Sequence, residues 1–255
     1  MNYKYIKFKN AEGIGILTLN RADKLNAFNT ELLVELDALI NYISDNKEIR
    51  VLIITGEGKA FCAGGDINWE KEIGELESKD TMKAMSDLQK LFSKIEQLRL
   101  PVIAAINGYS VGGGSELATA CDIRIASISA KFMHPETELG VVAPLGGTQR
   151  LPRLIGLGRA KLMLYTGIQI DAKKAHDWGL VDEIVDEDRL MPYVMEVAQQ
   201  IIQKPSKALE LTKKAINKNY HKDLIDKDEL NYYVACSKTT ENKDRLNKFL
   251  ERKKK

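Results

Sequence analysis

Two short runs in this chain are apolar at every position: Val51-Leu52-Ile53-Ile54 and Val102-Ile103-Ala104-Ala105-Ile106. A strand with one wet face alternates in polarity. A strand that is apolar throughout is covered on both faces, the condition of a parallel strand between two packed layers. Asp122-Ile123-Arg124-Ile125-Ala126 supplies a third core strand. Between these runs, residues 30–43 carry leucines and isoleucines at helical spacing, and 80–98 place Met82, Met85, Leu88, Leu91, Phe92 and Ile95 on one face. Alternating strand and helix predicts an α/β fold with largely buried sheets.

The chain opens with a predicted hairpin, in which an alternating run at 3–8 is punctuated by Asn10-Ala11-Glu12-Gly13 and answered by 14–19. Asn29 and Thr30 are suitable N-caps for the first helix. Beyond about residue 145 the pattern is mostly helical, apart from a strand at 181–185, and Pro205 marks a boundary. Residues 1–204 therefore read as the core, responsible for binding and catalysis, and 205–255 as a helical C-terminal region. No internal repeat is visible.

Composition removes several classes of function. The 255 residues suffice for a disulfide-free core, and the formal charge of +2 leaves no clustered basic surface for a nucleic acid. Cys62, Cys121 and Cys236 are scattered and match no metal-ligand spacing. The opening MNYKYIKFKN lacks the apolar core of a signal peptide, and no apolar run approaches the length of a membrane span, so a cytoplasmic protein is expected.

Three segments break the packing logic around them. Ala60-Phe61-Cys62-Ala63-Gly64-Gly65-Asp66 follows the first buried strand, and Asn107-Gly108-Tyr109-Ser110-Val111-Gly112-Gly113-Gly114-Ser115-Glu116 follows the second. His134-Pro135-Glu136-Thr137-Glu138-Leu139-Gly140 is the third. Glycine-rich turns let a ligand approach the main chain and leave N–H groups free to donate. The second turn also opens a helix, whose first N–H groups have no internal partner and whose dipole is positive there. Glu116, three residues beyond Gly113, lies over the same face. A carboxylate beside anion-binding N–H groups suits proton transfer next to a polarised carbonyl. A second reading is open: Gly108-Tyr109-Ser110-Val111-Gly112 matches the G-x-S-x-G elbow of serine hydrolases, with His134, His176 or His221 to complete a triad. Against it, three glycines separate Ser110 from Glu116, where an elbow serine leads directly into its helix.

Taken together, these segments resemble the crotonase (enoyl-CoA hydratase/isomerase) superfamily. FCAGGDI and NGYSVGGGSELA are similar to its two oxyanion-hole motifs, and PETELG to its second catalytic-glutamate motif. NRADKLNAF at 20–28, PVIAAINGY at 101–109, GGTQRLPRLIG at 146–156 and DAKKAHDWGLVDEIV at 171–185 agree in order and spacing. The resemblance implies a repeated β-β-α superhelix, a C-terminal helical region used in trimerisation, and a homotrimer or a hexamer of stacked trimers. It implies backbone oxyanion donors at Gly65 and Gly113, and catalytic carboxylates at Glu116 and Glu136. Coenzyme A, as part of the substrate and with no other cofactor, is implied to contact Lys24, Ala27, Lys59, Ala63, Asp66 and Ile67, and Arg252 of a neighbouring subunit. Retention of both glutamates points to an enoyl-CoA hydratase; an enoyl-CoA isomerase or a specialised hydratase/dehydratase of the same family is the alternative. The acyl pocket's depth is expected to depend on loops around 67–80.

One departure stands out. Hydratases of the family usually read L-G-x-x-P-G-x-G-G after the second glutamate, whereas this chain reads Leu139-Gly140-Val141-Val142-Ala143-Pro144-Leu145-Gly146-Gly147. Pro144 stands where the resemblance implies a glycine whose N–H helps hold the catalytic water, and proline has no N–H. A modest turnover is expected, with His134 as a candidate substitute donor.

Overall fold

The computed structural model describes residues 3–220 and 227–252. The opening hairpin pairs β1 (Ile6–Ala11) antiparallel to β2 (Ile14–Leu19). Helix α1 (Thr30–Asp45) starts at Asn29, whose side chain accepts from the Leu32 N–H, and buries Leu32, Leu33, Leu36, Leu39, Ile40 and Ile43. The doubly apolar runs then form the predicted strands, each followed by a shorter one. β3 (Val51–Gly56) leads to β4 (Ala60–Cys62), α2 (Ile67–Glu75) and α3 (Ser78–Gln97). β5 (Val102–Ile106) leads to β6 (Tyr109–Val111) and α4 (Gly113–Ala120). β7 (Ile123–Ser127) leads to β8 (Lys131–Met133) and a 3-10 turn at Glu136–Leu139.

The first strand of each pair enters a sheet of order β1-β2-β3-β5-β7-β10, parallel from β2 onward, where β10 is Glu183–Val185. The second strand of each pair enters a smaller sheet of order β4-β6-β8-β9, where β9 is Ile170–Asp171. This is the repeated β-β-α superhelix that the resemblance implied. Its period is carried by direction change, so it leaves no repeat in the sequence. Between Met133 and β10 come α5 (Gly147–Ile155), α6 (Leu157–Thr166) and α7 (Ala172–Trp178).

Both faces of the large sheet are covered, as its apolar strands require. On one side Leu190, Val194 and Ala198 of α8 (Leu190–Ile202) pack on Ile14, Val51, Ile53, Ile103, Ala105 and Ile125. On the other, Leu36, Leu88, Phe92 and Leu117 pack against Leu17, Leu52, Ile54 and Ala104. The chain continues past Pro205 as α9 (Ser206–Tyr220), α10 (Lys227–Ser237) and α11 (Thr240–Arg252). Lys213 ties α9 to the core through a 2.7 Å ion pair with Asp122 and a bond to the Leu100 carbonyl. Helix α10 packs on α3, and α11 packs on α2 and on the 3-10 turn. Lys238 donates to the carbonyls of Gly74 and Leu76 and to Thr81 Oγ1, pinning the α2–α3 corner. The segment 67–80, expected as loops, is therefore mostly helix: Asp66 caps α2 by accepting from the Asn68 N–H, and α3 begins at Ser78.

Candidate active site

The two glycine-rich turns meet. Gly64 adopts φ 86°, and a side chain there would lie 2.8 Å from the Val111 carbonyl oxygen and 3.3 Å from the Gly113 nitrogen, so only glycine permits the approach. The Phe28 N–H donates to the Gly64 carbonyl (2.7 Å), and the Asp66 N–H donates to the Phe28 carbonyl (2.9 Å). In that parallel bridge the bonds to Phe28 come from the residues on either side of Gly65, which turns Gly65's own N–H the other way. Gly113 is the first residue of α4, where N–H groups lack an intrahelical partner. Among the described residues neither N–H has a protein acceptor. The bend that carries Phe28 is held from inside: Asn26, fully buried at φ 58°, accepts from the Arg21 N–H and donates to the carbonyls of Glu57 and Ala60.

Two glutamates flank the turns. Glu116 is fully buried, and its Oε1 accepts from the N–H groups of Leu145 and Gly147, both at 2.7 Å. That donor loop is braced in turn. Arg150 is buried, pairs with Glu96 at 2.7 Å and donates to the Leu145 carbonyl. Glu136 opens the 3-10 turn and is 7% exposed; its Oε1 lies 3.4 Å from His134 Nδ1 and faces Gly112, while its Oε2 has no hydrogen-bond partner among the described residues. His134 is fully buried behind Glu136 and does not line the cavity. Pro144 does line it, and its carbonyl accepts from Gln89 Nε2 at 2.7 Å.

Gly65, Gly113, Glu116 and Glu136 line one cavity of about 610 Å³. Lys24, Ala27, Ala63, Asp66 and Ile67 line the same cavity. The Ala63 and Asp66 N–H groups are taken by the carbonyls of Leu25 and Phe28, and the Asp66 carbonyl accepts from the Glu70 N–H at 2.8 Å. Burial opposes ionisation of Asp66, yet Arg21, paired with it at 2.8 Å, and the Asn68 N–H outweigh that and hold its carboxyl below the usual range. Lys59 is exposed on the β3–β4 connection and does not line the cavity. The side chain of Arg252, and His221 altogether, lie outside the described residues. Ser110 is fully buried, and its hydroxyl contacts Ser115 Oγ at 3.4 Å rather than a histidine, so the hydrolase elbow is not formed. Burial pushes the Cys62 thiol up to about 12, which leaves no thiolate beside the turns.

Sequence reasoning missed two cavity residues. Glu70 sits one turn into α2, beside Gly65: a side chain on Gly65 would collide with Glu70 Oε1. Glu70 is half-buried and its carboxyl looks into the cavity. That burial, with the charges of Glu136 and Asp66 adding to it, pushes its pKa up to about 8. Tyr233 comes from α10 and is 5% exposed. Asp66 as an N-cap was the available signal for Glu70, because a capped helix at 67 places residue 70 back over its own first turn. Nothing local in the sequence points to Tyr233. Phe249 and Leu250 of α11 also line the cavity, so the C-terminal helices complete a site whose chemistry-bearing turns lie before residue 140.

A cradle of N–H groups beside two buried glutamates is the equipment of an enzyme that polarises a carbonyl and moves protons next to it. The comparisons with known proteins are consistent with that class. The family model described as enoyl-CoA hydratase/isomerase matches residues 9–255. The chain is 40% identical to the crotonyl-CoA hydratase of Syntrophomonas wolfei over 258 residues, covering 100% of this chain and 98% of that protein. It is 40% identical to the short-chain-enoyl-CoA hydratase of Clostridium acetobutylicum, covering 94% and 92%. A solved enoyl-CoA hydratase from Bacillus anthracis superposes with a TM-score of 0.81 at 37% identity, covering 98% and 97%. The protein belongs to the crotonase, or enoyl-CoA hydratase/isomerase, family.

Proposed function

We propose that the protein is an enoyl-CoA hydratase. The observation that carries the reading is that both Glu116 and Glu136 face one cavity beside two N–H groups that have no protein acceptor among the described residues. The thioester oxygen lies between the Gly65 and Gly113 N–H groups, which stabilise the charge it gains as the double bond is attacked. One such donor lowers the barrier by on the order of 3 kcal/mol. Water held between the glutamates gives up a proton to one carboxylate as its oxygen bonds to Cβ. The other, protonated, delivers a proton to Cα, and the product is a 3-hydroxyacyl thioester. The Leu145 and Gly147 bonds to Glu116 Oε1 fix the direction of that carboxylate.

Lys24, Ala27, Ala63, Asp66 and Ile67 contact the coenzyme A portion along the cavity; Lys59 and Arg252 meet its phosphates at the rim, Arg252 from a neighbouring subunit of a trimer or hexamer. The crotonyl-CoA and short-chain-enoyl-CoA hydratases among the relatives support hydration over isomerisation. Pro144 offers no N–H to the catalytic water, and His134 stands behind Glu136 rather than in its place, so the water is held by the two carboxylates. The test is loss of the conjugated-thioester absorbance when purified protein meets a panel of 2-enoyl-CoA thioesters, with 3-enoyl-CoA thioesters alongside. Hydration of the first set supports the reading. Double-bond migration in the second without hydration of the first makes the protein an isomerase.

A further inference from the structure

The mechanism leaves Glu70 unused. Its carboxyl lies against Gly65 in the acyl cavity, and among the described residues it has no hydrogen-bond partner. Tyr233 lines the same cavity, is buried, and its hydroxyl is equally without a partner among the described residues. The two groups are near enough for the charge of Glu70 to act on the Tyr233 phenol. Glu70 is half-buried and Tyr233 buried, and both present their polar ends to the cavity, where a plain alkyl chain would strip them of water without replacing its hydrogen bonds and a ligand with a polar group would replace them.

We propose that Glu70 and Tyr233 form a polar subsite that selects acyl-CoA thioesters carrying a hydroxyl group on the acyl chain beyond Cβ. The charge around the subsite fixes the class of substituent. Among the described residues the lining holds Asp23, Asp66, Glu70, Glu116, Glu136 and Glu138 against a single basic residue, Lys24, which is exposed. A carboxylate on the acyl chain would meet like charge with no cation to offset it. A hydroxyl can accept from the Glu70 carboxylic acid and donate to the Tyr233 oxygen, or the reverse. Burial and the charges of Glu136 and Asp66 favour the protonated, donating form of Glu70. Sites built to hydrogen-bond a substrate hydroxyl reject the analogue that lacks it far more strongly than apolar pockets reject an extra one.

The inference rests on the acyl-CoA reading, and its test uses saturated thioesters, which cannot be hydrated. Dissociation constants are measured by calorimetry for hexanoyl-CoA, for its 4-, 5- and 6-hydroxy derivatives, and for 6-aminohexanoyl-CoA. One hydroxy derivative is expected to bind at least tenfold tighter than hexanoyl-CoA. Glu70→Met is expected to abolish that preference, Tyr233→Phe to reduce it, and Glu70→Gln, which keeps the shape and a hydrogen-bonding end, to retain part of it. Hexanoyl-CoA binding as tightly as all three hydroxy derivatives overturns the subsite, as does tightest binding of the amino derivative. If no thioester binds, the acyl-CoA reading falls as well.

Discussion

Two turns in this molecule are built alike and finish differently. β4 ends in a glycine turn and α2, and β6 ends in a glycine turn and α4. Each helix carries a glutamate four residues past its N-cap: Glu70 after Asp66, and Glu116 after Gly112. On α4 the protein meets Glu116 with two backbone N–H groups braced through Arg150 and Glu96. On α2 it supplies the Glu70 carboxyl with no hydrogen bond among the described residues. A carboxylate held by its own fold is prepared for one repeated chemical step. A carboxyl left without a partner in an enclosed cavity is prepared for whatever enters it.

Breaking the held member has the largest expected effect. Glu116→Gln should lower hydration by roughly a thousandfold, in the range general acid–base groups contribute, while thioester affinity stays within a few-fold because the N–H donors are main chain. Near-normal turnover would sink the two-carboxylate mechanism. Loosening the brace without removing the carboxylate should cost less. A side chain on Gly147 would stand 2.6 Å from Ala143 Cβ and 2.9 Å from Glu116 Oε1. Gly147→Ala should therefore reduce kcat by about ten- to a hundredfold through a misplaced group, with KM nearly unchanged; equal loss in kcat and rise in KM would point to a disturbed cavity instead.

The unpartnered member is sharpened by pH. The folded pKa of Glu70, about 8, lies above the ordinary 4.5. Between those values the folded protein holds a proton that the unfolded chain has lost, so Glu70's contribution to stability is greatest below the unfolded value and declines as pH rises through 8. Wild type should lose Tm from pH 5 to 8 more steeply than Glu70→Gln, measured by thermal melts across that window, and parallel slopes would refute an elevated pKa. The smallest effect is expected behind the turns: Ser110→Ala should keep activity within about twofold, since Ser110 does not line the cavity and its hydroxyl meets only Ser115 Oγ among the described residues. Labelling of Ser110 by an organophosphate would revive the hydrolase reading.

The same contrast explains what was legible in the sequence. The strands 51–56 and 102–106 announce themselves because burial on both faces demands unbroken apolar residues. The turns announce themselves because Gly64 and Gly112 adopt positive φ at a close approach of two backbones. The three-residue strands β4, β6 and β8 carry too few residues to show a period, and the structural repeat they complete stayed hidden with them. Glu70 escaped because a helix of nine residues at 67–75 has no long apolar stripe to betray it. Tyr233 escaped because its place depends on where α10 docks, which Lys238 settles by bonding to Gly74, Leu76 and Thr81 from far along the chain.

That docking also imposes an order in time. During synthesis the chain emerges N-terminus first at about 5–20 residues per second. Both glycine turns, Glu116 and Glu136 are made before the 140th residue, whereas the walls supplied by Tyr233, Phe249 and Leu250 appear only after residue 230. Between those two stages the polypeptide carries Glu116 and Glu136 without the wall that Tyr233, Phe249 and Leu250 supply. The cavity closes only when α10 and α11 settle on α2 and α3. Loss of α10 and α11 would thus leave the chain that carries Glu116 and Glu136 but remove part of the cavity wall, and with it the exclusion of bulk water from these carboxyls.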